Sequence, residues 1–587
     1  MQTEKDRVLL REIEEQPLST EERKLVDTAY RLLESFNQKE STIIDEIKNN
    51  RKIWQMKDAH QDGSQQGEKV EQLPTLISNI ESAVADQVDN MPDVQLLPET
   101  PEGRANAQKM VDVLHYVLDR RGYKALHREL MVDAHVAKAC LLQTVWDPSL
   151  ADGKGDINIV RWPIENFRWD PAFDNIQDGR ACFKLMWYPE SWYWEHYPEE
   201  SKYISFGHGQ GEYGNDYTDD QENITMMVEY WYRRYDAEKK RYSVHFAKLA
   251  GRALLEYSEE DAPEGVYAHG MYPFDIYTYR KLQGTPVGSS MIDDFIEVQR
   301  RANRLSHYID ENARMTSRFK MLVNKSSNIN TEQLMDWNQQ VVEVNGRPGD
   351  MIQQLSVYQL NPQVDNHHQW LLDMIKRESG QNQSARGEFG GGITAASAIQ
   401  SLQEAGTKIS RMRTVDFQQI YASMCTKILW LAAQFYDKNR VFVITGDESR
   451  EDSVITVDKQ LIYGRVPKNS ALPPPPFAVQ VIAQRGNPQR IDAENQMVMQ
   501  MFQMYVQNGH QMPISALIAA LNLPGKDRLL RLATEMDSRN DQIAMLTQQM
   551  QQMQMQGEQM AAQNQALQQE LAKMADMLSG QSQQTVL

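Results

Sequence analysis

Between Gly387 and Gln400 the chain reads GEFGGGITAASAIQ, a glycine cluster running directly into helix-forming sequence. Glycine-rich loops that open a helix hold phosphates in many proteins, because backbone N–H groups converge on the anion there. Two features argue against that chemistry here. The glycines carry no lysine, and they follow helical rather than strand-forming sequence, so both the P-loop and the dinucleotide fingerprint are spoiled. G-x-x-x-x-G-K-[ST], H-E-x-x-H and G-x-S-x-G occur nowhere in the chain. His367 and His368 are adjacent, so on a helix they point different ways and do not suit one metal. Asp293-Asp294 and Asp219-Asp220 are acidic pairs of the kind that solvated surfaces carry. Cys140, Cys182 and Cys425 lie far apart with no C-x-x-C pair, which removes any basis for a zinc or redox site and suits a reducing compartment. No catalytic, metal-binding or cofactor-binding residue is assigned, and the chain reads as a non-enzyme.

Composition narrows the function further. The 587 residues carry a formal net charge of −19. Proteins that grip DNA do so by neutralising phosphates with Lys and Arg, so this balance argues against tight DNA binding. It suits a surface that DNA slides past without sticking. No apolar run approaches the ~18 residues of a membrane span. The charged start MQTEKDRVLLREIEEQP lacks the apolar core of a signal peptide. The expectation is a soluble protein that stays where it is made, with no membrane partner.

The elements that would position any site alternate between helical and sheet-rich stretches. Ser19-Thr-Glu-Glu22 is a capping box with Leu18 as staple, and Leu25, Ala29, Leu32, Leu33 and Phe36 follow at helical spacing. A polar loop is predicted over 58–72, then helices over 73–90, 102–120 and 123–141. From Leu142 the period shortens: LQTVWDP, DINIVRWP, ENFRWDP and ACFKLMWYP read as strands and turns. Six of the eleven tryptophans fall between Trp162 and Trp231. Base-stacking platforms need interleaved basic residues, whereas these loops carry Asp and Glu, so the rings read as the packing of an α+β body. The Gly/Asp-rich stretch 205–223 has no calcium-loop spacing and reads as solvated. Strands resume with ITMMVEYWYRRY, RYSVHFAKLA and MYPFDIYTYRKL.

A long helix is predicted over 291–315, with Phe295, Val298, Ala302, Leu305 and Ile309 as one apolar stripe. A strand–helix–strand insert follows, built from RFKMLVNK, NTEQLMDWNQQ, VVEVN and IQQLSVYQL. Asn361-Pro starts a second helix that ends near Ser379. After the glycine cluster, a helix starting at Thr394 or Ser397 runs to about Asp437. Strand-like VFVITGDE and SVITVDKQLIYG, a proline run, and two or three helices complete the body. From 541 onward Gln and Met dominate. Ile543, Leu546, Met550, Met553, Met560, Leu567, Leu571, Met574 and Leu578 repeat by threes and fours, interrupted by Gly557 and Asn564. That is a heptad seam of about five repeats, predicted to associate with copies of itself.

Long helix, small mixed insert, second helix, glycine loop and very long helix, placed after a sheet-rich body, resemble the portal proteins of tailed bacteriophages. INIVRWPIENFRWDPAFDNIQDGRACFKLMWYPESWYWEHYPE, with its turn Trp169-Asp170-Pro171, is similar to the wing segment of that family. GSSMIDDFIEVQRRANRLSHYIDENARM looks like its first stem helix. The resemblance covers nearly the whole chain and rests on the order of these elements. It implies an α+β, elongated subunit. Residues 1–287 would form the wing, 288–315 the first stem helix, 316–360 the clip and 361–379 the second stem helix. The tunnel loop would be 380–393, the long helix with its return to the wing 394–470, and the helical crown 471–540. Residues 541–587 would form a C-terminal helix, with a barrel left open.

The resemblance further implies a homo-oligomeric ring, usually of twelve subunits, at one capsid vertex of the virion, assembled in the host cytoplasm. Double-stranded DNA would pass through it during packaging and ejection. The expected partners are the large terminase subunit, the major capsid and scaffolding proteins, and head-completion or tail adaptor proteins, with no cofactor. Gly387, Gly390, Gly391 and Gly392 would then give the tunnel loop its freedom beside DNA. Arg386, Lys376 and Arg377 are candidates for DNA-backbone contact, or equally for pairing with acidic neighbours between subunits. The alternative is a self-associating coiled-coil structural or scaffold protein without DNA passage.

Overall fold

Ser19 starts the first helix as the sequence requires. Its hydroxyl accepts the Glu22 N–H at 3.2 Å, while the Glu22 carboxylate accepts the Ser19 N–H at 2.7 Å. A computed structural model of the chain describes residues 15–57, 72–206 (except 90 and 105), 224–317 (except 238–239), 321–323, 347, 352–354, 360–380, 408–436, 440–444, 453–463 (except 458), 473–483, 488–507, 513–521 and 526–582. It divides into two compact units, one of residues 1–440 with 456–484 and one of 441–455 with 485–587.

In the first unit, helix α1 (Thr20–Trp54) lays Val26, Ala29, Leu33 and Phe36 on a five-stranded antiparallel sheet. The strands are β4 (Phe167–Arg168), β5 (Ala181–Pro189), β6 (Ile224–Asp236), β7 (Arg241–Ala250) and β8 (Ala253–Tyr257), ordered as numbered. Side chains alternate faces along a strand. Phe183, Leu185, Val228, Tyr230 and Leu249 therefore meet α1, while Met186, Met227 and Ala250 cover the opposite face with Tyr193 and Ile204. Trp169 and Trp231 are buried in the body, as the packing reading of the tryptophans expects.

A second, three-stranded sheet runs β3 (Asp156–Trp162), β2 (Ala139–Asp147), β9 (Phe274–Thr278). Against it pack α4 (Tyr123–Val136) and the long α7 (Lys408–Phe435); α2 (Thr75–Asp89) and α3 (Ala107–Arg120) complete the layer. Strand β1 (Pro92–Pro98) pairs antiparallel with the distant β14 (Phe477–Ala483), from Pro92↔Ala483 to Pro98↔Phe477.

Helix α5 (Met291–Ser317) leads to β10 (Met321–Val323), which pairs antiparallel with β11 (Ile352–Gln354). The chain returns through α6 (Pro362–Glu378), which packs on α5. In the second unit, α8 (Pro488–Gln507), α9 (Ile514–Ala520) and the 57-residue α10 (Lys526–Ser582) follow in order. The Asp537 carboxylate accepts the N–H groups of Ile514 and Ser515, fixing the start of α9 to α10. A further ladder joins β12 (Arg440–Ile444) to β13 (Ser453–Val457).

Several sequence expectations need correction. The helix predicted to 141 ends at Val136, and the strand predicted from 142 begins at Ala139. The break is at Lys138, whose φ of 65° leaves the helical region; apolar Ala139–Leu142 fits helix or strand by pattern alone. Lys459–Tyr463 (KQLIY) is helical rather than a strand. Residues 471–483, assigned above to a crown, include β14 and belong to the first unit. The stretches 58–71, 207–223 and 381–407, with the insert's predicted helix, lie outside the described residues.

Candidate functional site

The two helices flanking the insert are held by a polar anchor at the start of α5. Ser290 caps it: its Oγ accepts the Asp293 N–H at 3.0 Å, and the Asp293 carboxylate accepts the Ser290 N–H at 2.8 Å. Asn50, near the end of α1, donates to both Ser290 Oγ and Asp293, at 3.0 and 2.9 Å. The Lys138 ammonium sits 2.9 Å from Asp293 and 2.8 Å from Glu46. Burial alone pushes the Asp293 carboxyl up, but Asn50, the Ser290 N–H and Lys138 bring it below the usual carboxylate range. Asp294 is held by Arg280 and by Ser289 at 3.2 Å. The Asp293-Asp294 pair is thus a structural anchor, and the expectation of a merely solvated pair is overturned.

Along α5, Phe295 and Ala302 are buried, while Val298, Leu305 and Ile309 are half-buried. Leu371 and Ile375 are the buried counterparts on α6. Tyr308, Met315 and Trp370 stand exposed on the same pair of helices. Asn361 caps α6 by accepting the Gln363 N–H at 3.0 Å, and Gly380 at φ 84° ends it. His368 is buried and His367 stacks on Trp370, with ring centroids 5.5 Å apart, so the adjacent histidines do diverge.

Lys376 and Arg377 occupy the last turn of α6, half-buried and exposed respectively. Among the described residues neither enters an ion pair. Arg386, Gly387, Gly390, Gly391 and Gly392 lie outside the described residues. In the second unit Ile543, Leu546, Met550, Met553, Met560, Leu567, Leu571 and Met574 are all exposed along α10, and the Leu578 side chain is outside the description. Helix α6 thus packs on α5, and the seam residues of α10 are exposed among the described residues.

Sequence reasoning missed the ion pair that seats α7 on the sheet. Lys427 is fully buried, 2.7 Å from Asp275. Its signal was a lone cation inside the apolar run KILWLAAQF. The three cysteines are buried, and burial pushes all three thiols up, away from reactivity.

The described geometry defines a structural subunit: anchored helices, a cross-braced sheet body and an uncovered apolar seam. Residues 51–581 match the family model of phage P22-like portal proteins, and the chain belongs to that family. It is a phage portal protein, of a structural rather than enzymatic family. No curated protein matches the chain.

Proposed function

We propose that the chain is the subunit of a ring at one capsid vertex of a tailed phage. The ring, of twelve copies on the family pattern, is the channel through which double-stranded DNA enters during packaging and leaves at ejection. The large terminase subunit docks on it during packaging, and head-completion or tail adaptor proteins seal it afterwards. Major capsid and scaffolding proteins surround it during assembly in the host cytoplasm. In this reading α5 and α6 are the stem, 316–360 the clip and 380–393 the tunnel loop. The wing takes in β14, so the crown starts near 485 and the tail at 541.

The observation that carries the reading is the family match over 51–581, across the order helix α5, β10–β11 insert, helix α6. The net charge of −19 fits a channel wall that DNA must not stick to. Negative-stain images of the purified protein test it: rings with a central hole wide enough for duplex DNA are expected. Filaments or small bundles would instead favour a coiled-coil scaffold, to which the exposed seam of α10 is also suited. Leu305→Asp sets an unpaired charge in the α5 stripe, and light scattering should then show smaller or lost rings.

A further inference from the structure

The five-stranded sheet carries opposite charge at its two ends, and each end also presents aromatic rings. At one end is the β6–β7 hairpin. Tyr235 and Tyr242 face each other across the ladder, 57% and 54% exposed, with ring centroids 5.1 Å apart. Among the described residues here, Arg233, Arg234, Lys240 and Arg241 stand against Asp236 and against Glu259 and Glu264, which pair with Arg234 and Arg241, leaving this end at +1 in a chain of −19.

The hairpin is rigidly braced. Arg233 lies over the Tyr272 ring at 4.5 Å and donates to Gln177 at 3.0 Å. The Val266 N–H donates to the Val244 carbonyl at 3.0 Å. Gly270, at φ 65°, brings its segment so close that a Cβ there would sit 2.5 Å from the Tyr242 carbonyl oxygen. Preorganised Tyr and Arg side chains are the chemistry of protein–protein hot spots.

At the other end, β5 runs into residues 190–203. Trp192 is stacked between Tyr188 and His196, at 3.9 and 4.2 Å. Glu190, Glu195, Glu199 and Glu200 against Lys202 leave this patch at −3. Strand β6 spans 13 residues between the two ends, about 40 Å of sheet, so the patches of one chain do not meet.

Two unlike, complementary patches on opposite ends of one rigid sheet are what a head-to-tail contact between copies needs. Resting on the ring reading above, we infer that the Tyr235/Tyr242 hairpin of one copy docks on the Trp192/His196 patch of the next. Nucleic acid is the poorer occupant. Arg234 and Arg241 already face Glu259 and Glu264, at 2.8 and 3.6 Å, which leaves too little net positive charge to neutralise a run of phosphates.

Charge reversal in the full-length protein tests the contact. Arg234→Glu with Arg241→Glu, and separately Glu195→Arg with Glu199→Arg, should each raise the half-assembly concentration about tenfold or more. All four together should recover most of that loss, read by light scattering over a dilution series. Tyr242→Cys with Ser191→Cys gives a readout that needs no charge change. Oxidant should then produce a ladder of cross-linked chains, against native cysteines that are buried. Wild-type rings with unaffected reversal variants and no cross-link would overturn this contact while leaving the ring reading standing. Wild-type protein that forms no ring would overturn the ring reading itself. Hairpin variants that lose duplex-DNA capture but assemble normally would replace the protein partner with nucleic acid.

Discussion

Lys427 Nζ lies 2.7 Å from the Asp275 carboxylate with both side chains buried, joining the middle of α7 to β9. The other Asp275 oxygen accepts the Ser423 hydroxyl at 2.7 Å, and the ammonium also donates to the Phe274 carbonyl at 3.0 Å. Burial pushes the Lys427 pKa down while Asp275 opposes the shift. Removing one partner strands the other charge in the core, which typically costs about 3–5 kcal/mol. Asp275→Asn and Lys427→Met should each lower the thermal midpoint strongly, and the double variant should lower it less than the two losses added. Additive losses in the cycle would show that the residues act independently.

Stability should also respond to pH through buried ionisable groups. Glu40 is buried with its Oε1 accepting the Trp169 N–H at 3.3 Å. Burial pushes its pKa up to about 9 from an ordinary 4.5, against the pull of Arg168 and the Trp169 N–H. The folded chain keeps a proton that the unfolded chain loses near pH 4.5. This contribution is therefore complete below that pH and is lost as pH rises towards about 9. Glu40→Gln should flatten the alkaline decline of the thermal midpoint. An unchanged slope would mean that Glu40 is ionised in the fold.

His127 acts in the opposite sense. Burial brings its pKa down to about 4 from an ordinary 6.5, and its ring packs 4.8 Å from Phe417 on α7. As pH falls from 6.5 towards 4, the unfolded chain takes up a proton that the folded chain refuses, and stability drops. His127→Phe keeps the ring contact and should shallow the acid limb of the same curve. His135, likewise brought down to about 4 by burial, leaves part of that limb in place.

Local signals in the sequence were read well where a single element states its own ends. The Ser19 capping box and the Asn361-Pro start of α6 each appear where they were expected, whereas only Phe295 and Ala302 of the α5 stripe lie on the buried face, beside Ile292, Gln299 and Asn303. Pairings between distant segments were not legible. Leu96 faces Val479 across 383 residues of chain, and neither stretch alternates in a way that names its partner. The Asn50–Ser290–Asp293 anchor was hidden for the same reason, since three polar residues become one network only after α1 and α5 cross. Residue types announced α10 as a helix with apolar side chains at three- and four-residue steps, because that repeat is written within one element.

Deleting residues from 541 onward tests that seam. Its apolar side chains are exposed among the described residues, and the proposed self-association would bury them against other copies. The shortened protein keeps Asp537 and its hold on α9. Ring formation should persist by light scattering, while the helical circular dichroism per chain falls. A truncated protein that stays monomeric would make α10 the primary oligomeriser and would favour the scaffold reading.

Gly390, Gly391 and Gly392 carry the most direct test of the channel. If residues 380–393 line it, they must adapt as DNA passes, and glycine reaches backbone conformations that alanine cannot. Changing all three to alanine narrows the accessible conformations, and any position that needs positive φ becomes strained. Assembly should survive, because these residues lie outside the α5 and α6 stretches proposed as the stem. Packaged genome should fall, measured as nuclease-protected DNA per particle in a complementation assay. Arg386→Ala should give a milder defect that varies with salt, since a phosphate contact weakens as counterions compete. Full genomes in triple-alanine particles would show that the cluster serves something other than the passage of DNA.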